Sequence, residues 1–295
     1  MVFSRAVIAP NLTPFNADLS PDTALYVSHA KQLLASGCDA LAPFGTTGEA
    51  ASLGMQERML LLEALVTGGI NPERLIPGTG LTALSDTIGL CRHACDLGVA
   101  GVMVLPPFYF KDIKDEGLAQ FYARLIEGVN RPGLRIFLYH IPPVARVGFS
   151  VALVRRLARD FAGTVIGIKD SSGDWENTAA MLAGAPDLMV FPGNELGLRR
   201  ALAAGAPGCI TATANVNAPA ISALANETDE SVAEMREAEV ESFRLTIQRF
   251  GAIPAMKAML ARRDGYAGWS RVRPPLLALD SASLASLEAG LEMKI

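Results

Sequence analysis

The chain reads as an α/β protein, a (β/α)8 barrel with a C-terminal helical extension, and three observations carry that reading. First, a helix that ends in Gly and runs into an unbroken apolar stretch recurs at 33–45, 94–107 and 203–215. Glycine supplies the left-handed turn that closes a helix, and an apolar run without alternation suits a parallel strand covered on both faces. Second, eight such runs can be counted, with helical patterns between them. Third, 295 residues fit one barrel as well as two smaller domains. An open doubly wound sheet is the competing arrangement of the same units.

In order, the expected strands are 7–9, 40–44, 75–78, 101–105, 136–139, 165–169, 188–191 and 209–212. Helical patterns fall at 52–66, 116–129, 150–160 and 195–204. Ser52, Ser85 and Ser150 are candidate caps, because a serine hydroxyl can accept from an otherwise orphaned helical N–H. Strand patterns stop after Asn215, and long amphipathic patterns at 229–250, 253–263 and 281–293 build the extension. The expected division is a barrel over 1–220 and packed helices over 221–295 in one structural unit.

Composition excludes several classes. Hydrophobic residues make up 50% and charged residues 19%, too apolar for a disordered chain. Lys+Arg 26 against Asp+Glu 30 gives a net charge of −4, so no positive field exists to attract nucleic acid. A mean hydropathy of +0.28 raises the membrane question, and 201–226 carries no charged side chain. Pro207, Pro219 and three asparagines argue against a spanning helix there, and the segment reads as buried strand plus loop. No signal-peptide core is visible near the start, and a cytoplasmic location is expected. Cys38, Cys91, Cys95 and Cys209 are too few and scattered for a disulfide framework, and read as reduced structural residues. Cys91, His93 and Cys95 on one helix cannot make a tetrahedral zinc set, and no metal site is expected.

In such a barrel the chemistry sits where the strands end, because the following loops build the open mouth. Of six lysines only Lys169 closes a strongly apolar run, Thr-Val-Ile-Gly-Ile-Lys. A poorly solvated amine there is a candidate nucleophile toward a carbonyl, although a snorkelling lysine fits the same pattern. After the second run, Gly45-Thr46-Thr47-Gly48-Glu49 offers two hydroxyls and free amides to a carboxylate, or is an ordinary glycine turn. Tyr139 closes the fifth run and Tyr109 follows the fourth, each a candidate acid–base group or a half-buried core residue. An amine, an anion pocket and phenols on one rim are what a Schiff-base enzyme acting on a 2-keto acid requires.

These motifs resemble the dihydrodipicolinate synthase/N-acetylneuraminate lyase family of class I pyruvate aldolases and lyases. The likeness covers Gly45–Glu49, Gly78-Thr-Gly80, Pro107-Phe-Tyr109, Tyr139 with Ile-Pro after it, Gly167-Ile-Lys-Asp-Ser-Ser172, Gly193-Asn-Glu195 and the helix of Pro254 and Lys257. The resemblance implies that Lys169 forms an imine with the substrate ketone and that no dissociable cofactor is used. It assigns the keto-acid carboxylate to Thr46 and Thr47, proton relay to Tyr139 with Thr46 linking it to Tyr109, and an apolar wall to Ile210. Tyr109 is then expected to reach into a neighbouring subunit, which implies a tight dimer, paired into a tetramer. The expected partners are a small keto acid and an aldehyde.

Departures gather where the second substrate should bind. Tyr139 is followed by His-Ile-Pro-Pro-Val-Ala-Arg146, which places Arg146 two residues later than the family's carboxylate-gripping arginine. It is either a repositioned clamp or a surface charge. Thr82 and Arg58 stand where Asn and His are typical of the lysine-feedback pocket, so lysine feedback is not expected. The resemblance therefore implies a pyruvate-forming or pyruvate-using lyase with an undetermined acceptor, such as a 2-keto-3-deoxy sugar acid. The alternatives are dihydrodipicolinate synthase, which joins pyruvate to aspartate semialdehyde, and a non-catalytic keto-acid-binding barrel. His140, next to Tyr139, should point to the opposite face and serve structure.

Overall fold

The computed structural model describes residues 3–291. Among the described residues seven strands are formed: β1 (Ala6–Ala9), β2 (Ala40–Leu41), β3 (Val102–Val104), β4 (Ile136–His140), β5 (Val165–Asp170), β6 (Met189–Pro192) and β7 (Gly208–Ile210). They make two parallel sheets, in the orders β2-β1-β7 and β3-β4-β5-β6. The run at 75–78, expected as a full strand, joins them through single parallel bridges, Leu41 to Leu75 and Gly78 to Met103. β6 and β7 pack side by side and close the ring. Ladder hydrogen bonds still tie this staff to both neighbours, from the Ile76 and Gly78 N–H groups to Leu41 and Pro43 and from the Met103 N–H to Pro77. A side chain at Gly78 would come within 2.1 Å of the Phe44 carbonyl oxygen.

Helices α1 (Thr23–Ala35), α2 (Met55–Thr67), α3 (Leu84–Asp96) and α4 (Asp115–Val129) cover the first half of the barrel. A short α5 (Pro142–Ala145) follows β4, then α6 (Val151–Asp160), α7 (Trp175–Gly184), α8 (Leu198–Ala203) and α9 (Ala214–Asn226). The extension is α10 (Glu230–Arg249), α11 (Ala252–Asp264) and α12 (Ser281–Gly290). The expected helix end at Met293 lies outside the described residues. Residue 220 falls inside α9, which packs on β1 as a barrel helix.

Strand residues alternate between two cores. Val7, Ala9, Val102, Val104, Ile136 and Leu138 meet the helices, while Ile8, Met103, Phe137, Tyr139, Phe191 and Ile210 fill the barrel interior. Phe3 stacks edge-on against Phe191 at 5.6 Å within that interior cluster. Leu12, Met256, Leu260 and Trp269 form a third cluster, where the extension packs on the barrel.

Local capping is only partly as expected. Ser150 caps α6 by accepting the Leu153 N–H at 3.0 Å. Ser52 instead ends a 3-10 turn, and α2 starts after Gly54, whose N–H donates to the Glu57 carboxylate at 2.9 Å. Ser85 lies within the first turn of α3, after Ala83 at the cap, and its hydroxyl meets Asp86. The uncharged stretch 201–226 is a strand followed by a helix rather than strand plus loop. Pro219 is accommodated because a kink at Asn217 interrupts the helical backbone just before it. No helix among the described residues is long and apolar enough to cross a membrane. Cys38, Cys91, Cys95 and Cys209 are free, and burial pushes the Cys38 and Cys91 thiols up to about 12.

Candidate active site

Tyr139 and Lys169 are neighbours in register on β4 and β5, and both are buried. The Lys169 ammonium nitrogen sits 4.6 Å from the centre of the Tyr139 ring. The Tyr139 hydroxyl lies 3.1 Å from Thr46 Oγ1, which hangs from the loop after β2. Amine, phenol and threonine hydroxyl therefore converge from three staves. Ile210 faces the same interior from β7, in one cluster with Tyr139.

The end of β5 is held from outside. Asp170, one residue beyond Lys169, accepts from the Ser172 N–H at 2.9 Å, Asn177 Nδ2 at 3.0 Å and Thr178 Oγ1 at 2.6 Å. Fixing Asp170 on the helix-facing side leaves Lys169 directed inward, since consecutive strand residues point oppositely. The same rule places His140 outside. Its Nδ1 accepts the Phe149 N–H at 2.9 Å, and burial lowers its pKa, so it is a neutral structural imidazole.

The Gly45–Glu49 loop is bounded by two residues in the left-handed region, Phe44 at φ 60° and Glu49 at φ 56°. Non-glycine residues adopt this conformation only where their surroundings enforce it. For Glu49 the enforcement comes from the extension. The Glu49 carboxylate takes a hydrogen bond from Lys257 of α11 and the Arg273 N–H at 2.9 Å. Lys257, wholly buried, also donates to the Arg271 carbonyl at 2.7 Å and lies 4.3 Å from the centre of the Phe15 ring. Burial lowers the Lys257 pKa to about 8 against the opposing pull of Glu49. Among the described residues, Gly48, Glu49 and Ala50 donate their N–H groups within the loop, while Thr46 and Thr47 have no backbone acceptor. Two amides and the Thr47 hydroxyl remain available to an anion, while the Thr46 hydroxyl already meets Tyr139.

A second buried carboxylate locks the opposite side of the rim. Glu195, expected to begin a helix, precedes α8 and accepts from Thr211, Thr213 and, at 3.0 Å, Arg244 of α10. Neither acid was legible as structural, because each partner lies far away in the chain: 49 residues for Arg244 and 208 for Lys257. The available signals were an acid directly after a Gly-rich turn and a lysine inside the apolar face of a helix.

Beside Thr46 and Tyr139 opens a cavity of about 420 Å³, walled mainly by apolar groups, among them Leu53, Leu81, Leu105, Phe108 and Ile253. Arg58 also lines it. Two expected residues are not brought to this cavity. Arg146 is exposed just after α5, at φ 56°, because that short helix turns the chain outward before the arginine is reached. Tyr109 is 75% exposed beside Phe110 at 71%, and within one chain Thr46 bonds to Tyr139 rather than linking onward to Tyr109. The loop that carries Tyr109 is pinned by Lys111, which donates to the Phe108 carbonyl and, at 3.0 Å, to Ala145 of α5.

A parallel barrel with a buried lysine at a strand end, a phenol against it and an anion-ready loop defines the class of Schiff-base barrels. The chain belongs to the dihydrodipicolinate synthetase family, which residues 3–294 match. It is 33% identical to an uncharacterised DapA-like lyase of Chloroflexus aurantiacus, over 99% of this chain and 97% of that protein. The crystal structure of dihydrodipicolinate synthase from Agrobacterium tumefaciens superposes with a TM-score of 0.89 at 31% identity, covering 98% and 99% of the two chains. YagE, a prophage protein of the same family from Escherichia coli K12 crystallised with pyruvate, gives 0.89 at 25% identity and 97% of each chain. The protein is thus a class I lyase or aldolase.

Proposed function

We propose that Lys169 captures the ketone of pyruvate or a related 2-keto acid as an imine, and that the enzyme makes or breaks a bond at C3. The observation that carries this reading is the Lys169 amine, buried against the Tyr139 ring, whose hydroxyl meets Thr46. The amine adds to C2, and loss of water leaves a protonated imine. That cation draws electrons from C3, so no metal or dissociable cofactor is called for. In cleavage, a proton leaves the C4 hydroxyl, the C3–C4 bond breaks and an aldehyde departs, leaving an enamine. Protonation at C3 and hydrolysis then release pyruvate and the free amine. Condensation runs the same steps in reverse.

Tyr139 and Thr46 form the proton relay, and the Thr46 and Thr47 hydroxyls and amides hold the keto-acid carboxylate. Ile210 is the apolar wall beside it. The exposed Tyr109–Phe110 pair supports a tight dimer in which a second copy covers these rings and Tyr109 completes the neighbouring site, with two dimers pairing. A cytoplasmic setting suits the free buried thiols. Arg146, exposed and outside the cavity, offers no grip on an acceptor's carboxylate, which favours a 2-keto-3-deoxy acid type of substrate over an acceptor held by that arginine.

The test is treatment with pyruvate and borohydride followed by peptide mass mapping. An adduct on Lys169 is expected; no adduct, or one on another lysine, overturns the reading. The second reading is the synthase reaction with aspartate semialdehyde, supported by the 31% identity to the Agrobacterium enzyme. Cyclisation of that aldehyde with pyruvate at ordinary enzymatic turnover would establish it instead.

A further inference from the structure

Arg273, in the segment after α11, gathers the chain around the exit of the Gly45–Glu49 loop. Its guanidinium donates to the Ser52 carbonyl at 2.6 Å, to the Leu19 carbonyl at 2.7 and 2.9 Å, and to the Glu57 carboxylate at 2.5 and 2.8 Å. Its backbone N–H donates to the Glu49 carboxylate. The Phe15 ring that meets Lys257 also lies 4.9 Å from the Arg273 guanidinium. A planar fork of fixed donors can hold several acceptors in one geometry, which a flexible ammonium does not.

Consecutive turns carry these contacts to the free amides of Thr46 and Thr47. The Ser52 N–H donates to the Glu49 carbonyl at 2.8 Å, and the Glu49 N–H donates to the Thr46 carbonyl at 3.1 Å. That carbonyl shares a peptide plane with the Thr47 N–H, and in a trans peptide the two point in opposite directions. Fixing the carbonyl therefore aims the Thr47 N–H away from the turn. The Gly45 carbonyl, coplanar with the Thr46 N–H, is held likewise by the Gly48 and Ala50 N–H groups at 3.1 and 3.2 Å. Thr13 steadies the Gly48 carbonyl from the β1 side at 2.8 Å, so residues 49–52 depend on the extension. Glu49, left-handed at φ 56°, favours relaxation of the turn once those ties are lost.

Resting on the proposed chemistry at Lys169, we infer that Arg273 is a positioning residue for recognition of the keto-acid carboxylate. It touches no substrate. By fixing the loop exit it sets the direction of the two amides that receive the anion.

The experiment compares borohydride trapping at Lys169 by pyruvate and by hydroxyacetone, a three-carbon ketone with CH2OH in place of the carboxylate. In each case amine and ketone lose water, and hydride reduces the C=N carbon to a stable secondary amine. The readout is the ratio of the two labelling rates per unit concentration, measured below saturation. Loss of folded protein scales both rates equally and leaves the ratio unmoved. Arg273→Met keeps the stem against Phe15 and the Lys257–Glu49 pair, and should lower the ratio roughly tenfold or more, the size of a charge-assisted hydrogen bond. Arg273→Lys, which keeps the charge without the fork, should fall between, and it supplies the comparison if the Met variant does not fold by circular dichroism. An unchanged ratio in the folded variants overturns the inference, as does an equal loss of both rates. Pyruvate labelling of wild-type Lys169 reports independently on the proposed chemistry, so the two failures are distinguishable.

Discussion

Lys169 and Lys257 are both buried lysines with an aromatic ring beneath the ammonium, at 4.6 Å and 4.3 Å respectively, yet their surroundings differ. Lys257 has a carboxylate and a carbonyl oxygen as acceptors. Among the described residues Lys169 has neither, only the face of Tyr139 and the nearby rim. A buried cation whose hydrogen-bonding capacity is used up by the protein serves the fold. The one left short of acceptors is the lysine proposed to react, once deprotonated, and the fold bears the cost of keeping it so.

Replacing each lysine by Met puts that comparison at risk. Lys169→Met should abolish imine labelling and turnover while shifting stability by less than about 1 kcal/mol, or raising it, since an unpaired buried amine is removed. Lys257→Met should instead cost about 3–5 kcal/mol in urea unfolding, the usual penalty for stranding a buried partner charge, here Glu49. Adding Glu49→Leu should recover part of that loss. If both Met variants lose similar stability, the division between a structural and a reactive lysine fails. Next in size, Tyr139→Phe should lower kcat by about 10²- to 10⁴-fold, the range for lost general acid–base help, with the fold intact by circular dichroism. An unchanged kcat removes the phenol from the relay.

A third buried base sharpens the comparison with a pH effect. His29 donates from Nε2 to the Asn215 carbonyl oxygen at 2.9 Å, and burial lowers its pKa to about 4. In the unfolded chain it would titrate near 6.5, so between these values the unfolded state binds the extra proton. Its contribution is complete above pH 6.5 and is lost as pH falls toward 4. Stability should drop by about 2 kcal/mol from pH 7 to pH 5 on this account. His29→Gln should flatten that part of the profile, and an unaltered slope would assign the acid sensitivity to other groups.

The features legible in the sequence were those governed by local pattern. All eight apolar runs lie where the barrel has a strand or a bridging segment, because two-sided burial leaves an uninterrupted apolar stretch. Lys169 stood out as the charge that ends such a run. What was missed depends on distant partners. Glu195 looked like a helix start because the groups that donate to its carboxylate, Thr211, Thr213 and Arg244, lie on other elements of the chain. Ser52 and Ser85 looked like caps, but Gly54 and Ala83 occupy those positions, since the loops before α2 and α3 fix the helix entry. Arg146 could be a clamp or a surface charge by its spacing alone, and the turn of α5 leaves it exposed as the latter.

The clamp on Glu49 also orders events in time. Its amine lies 208 residues downstream, so a nascent chain can complete every barrel strand while the Gly45–Glu49 loop still lacks its anchor. Ribosomal products that stop before Lys257 would carry Lys169 and Tyr139 without a finished rim. The rim loop is therefore the last part of the barrel mouth whose anchor leaves the ribosome.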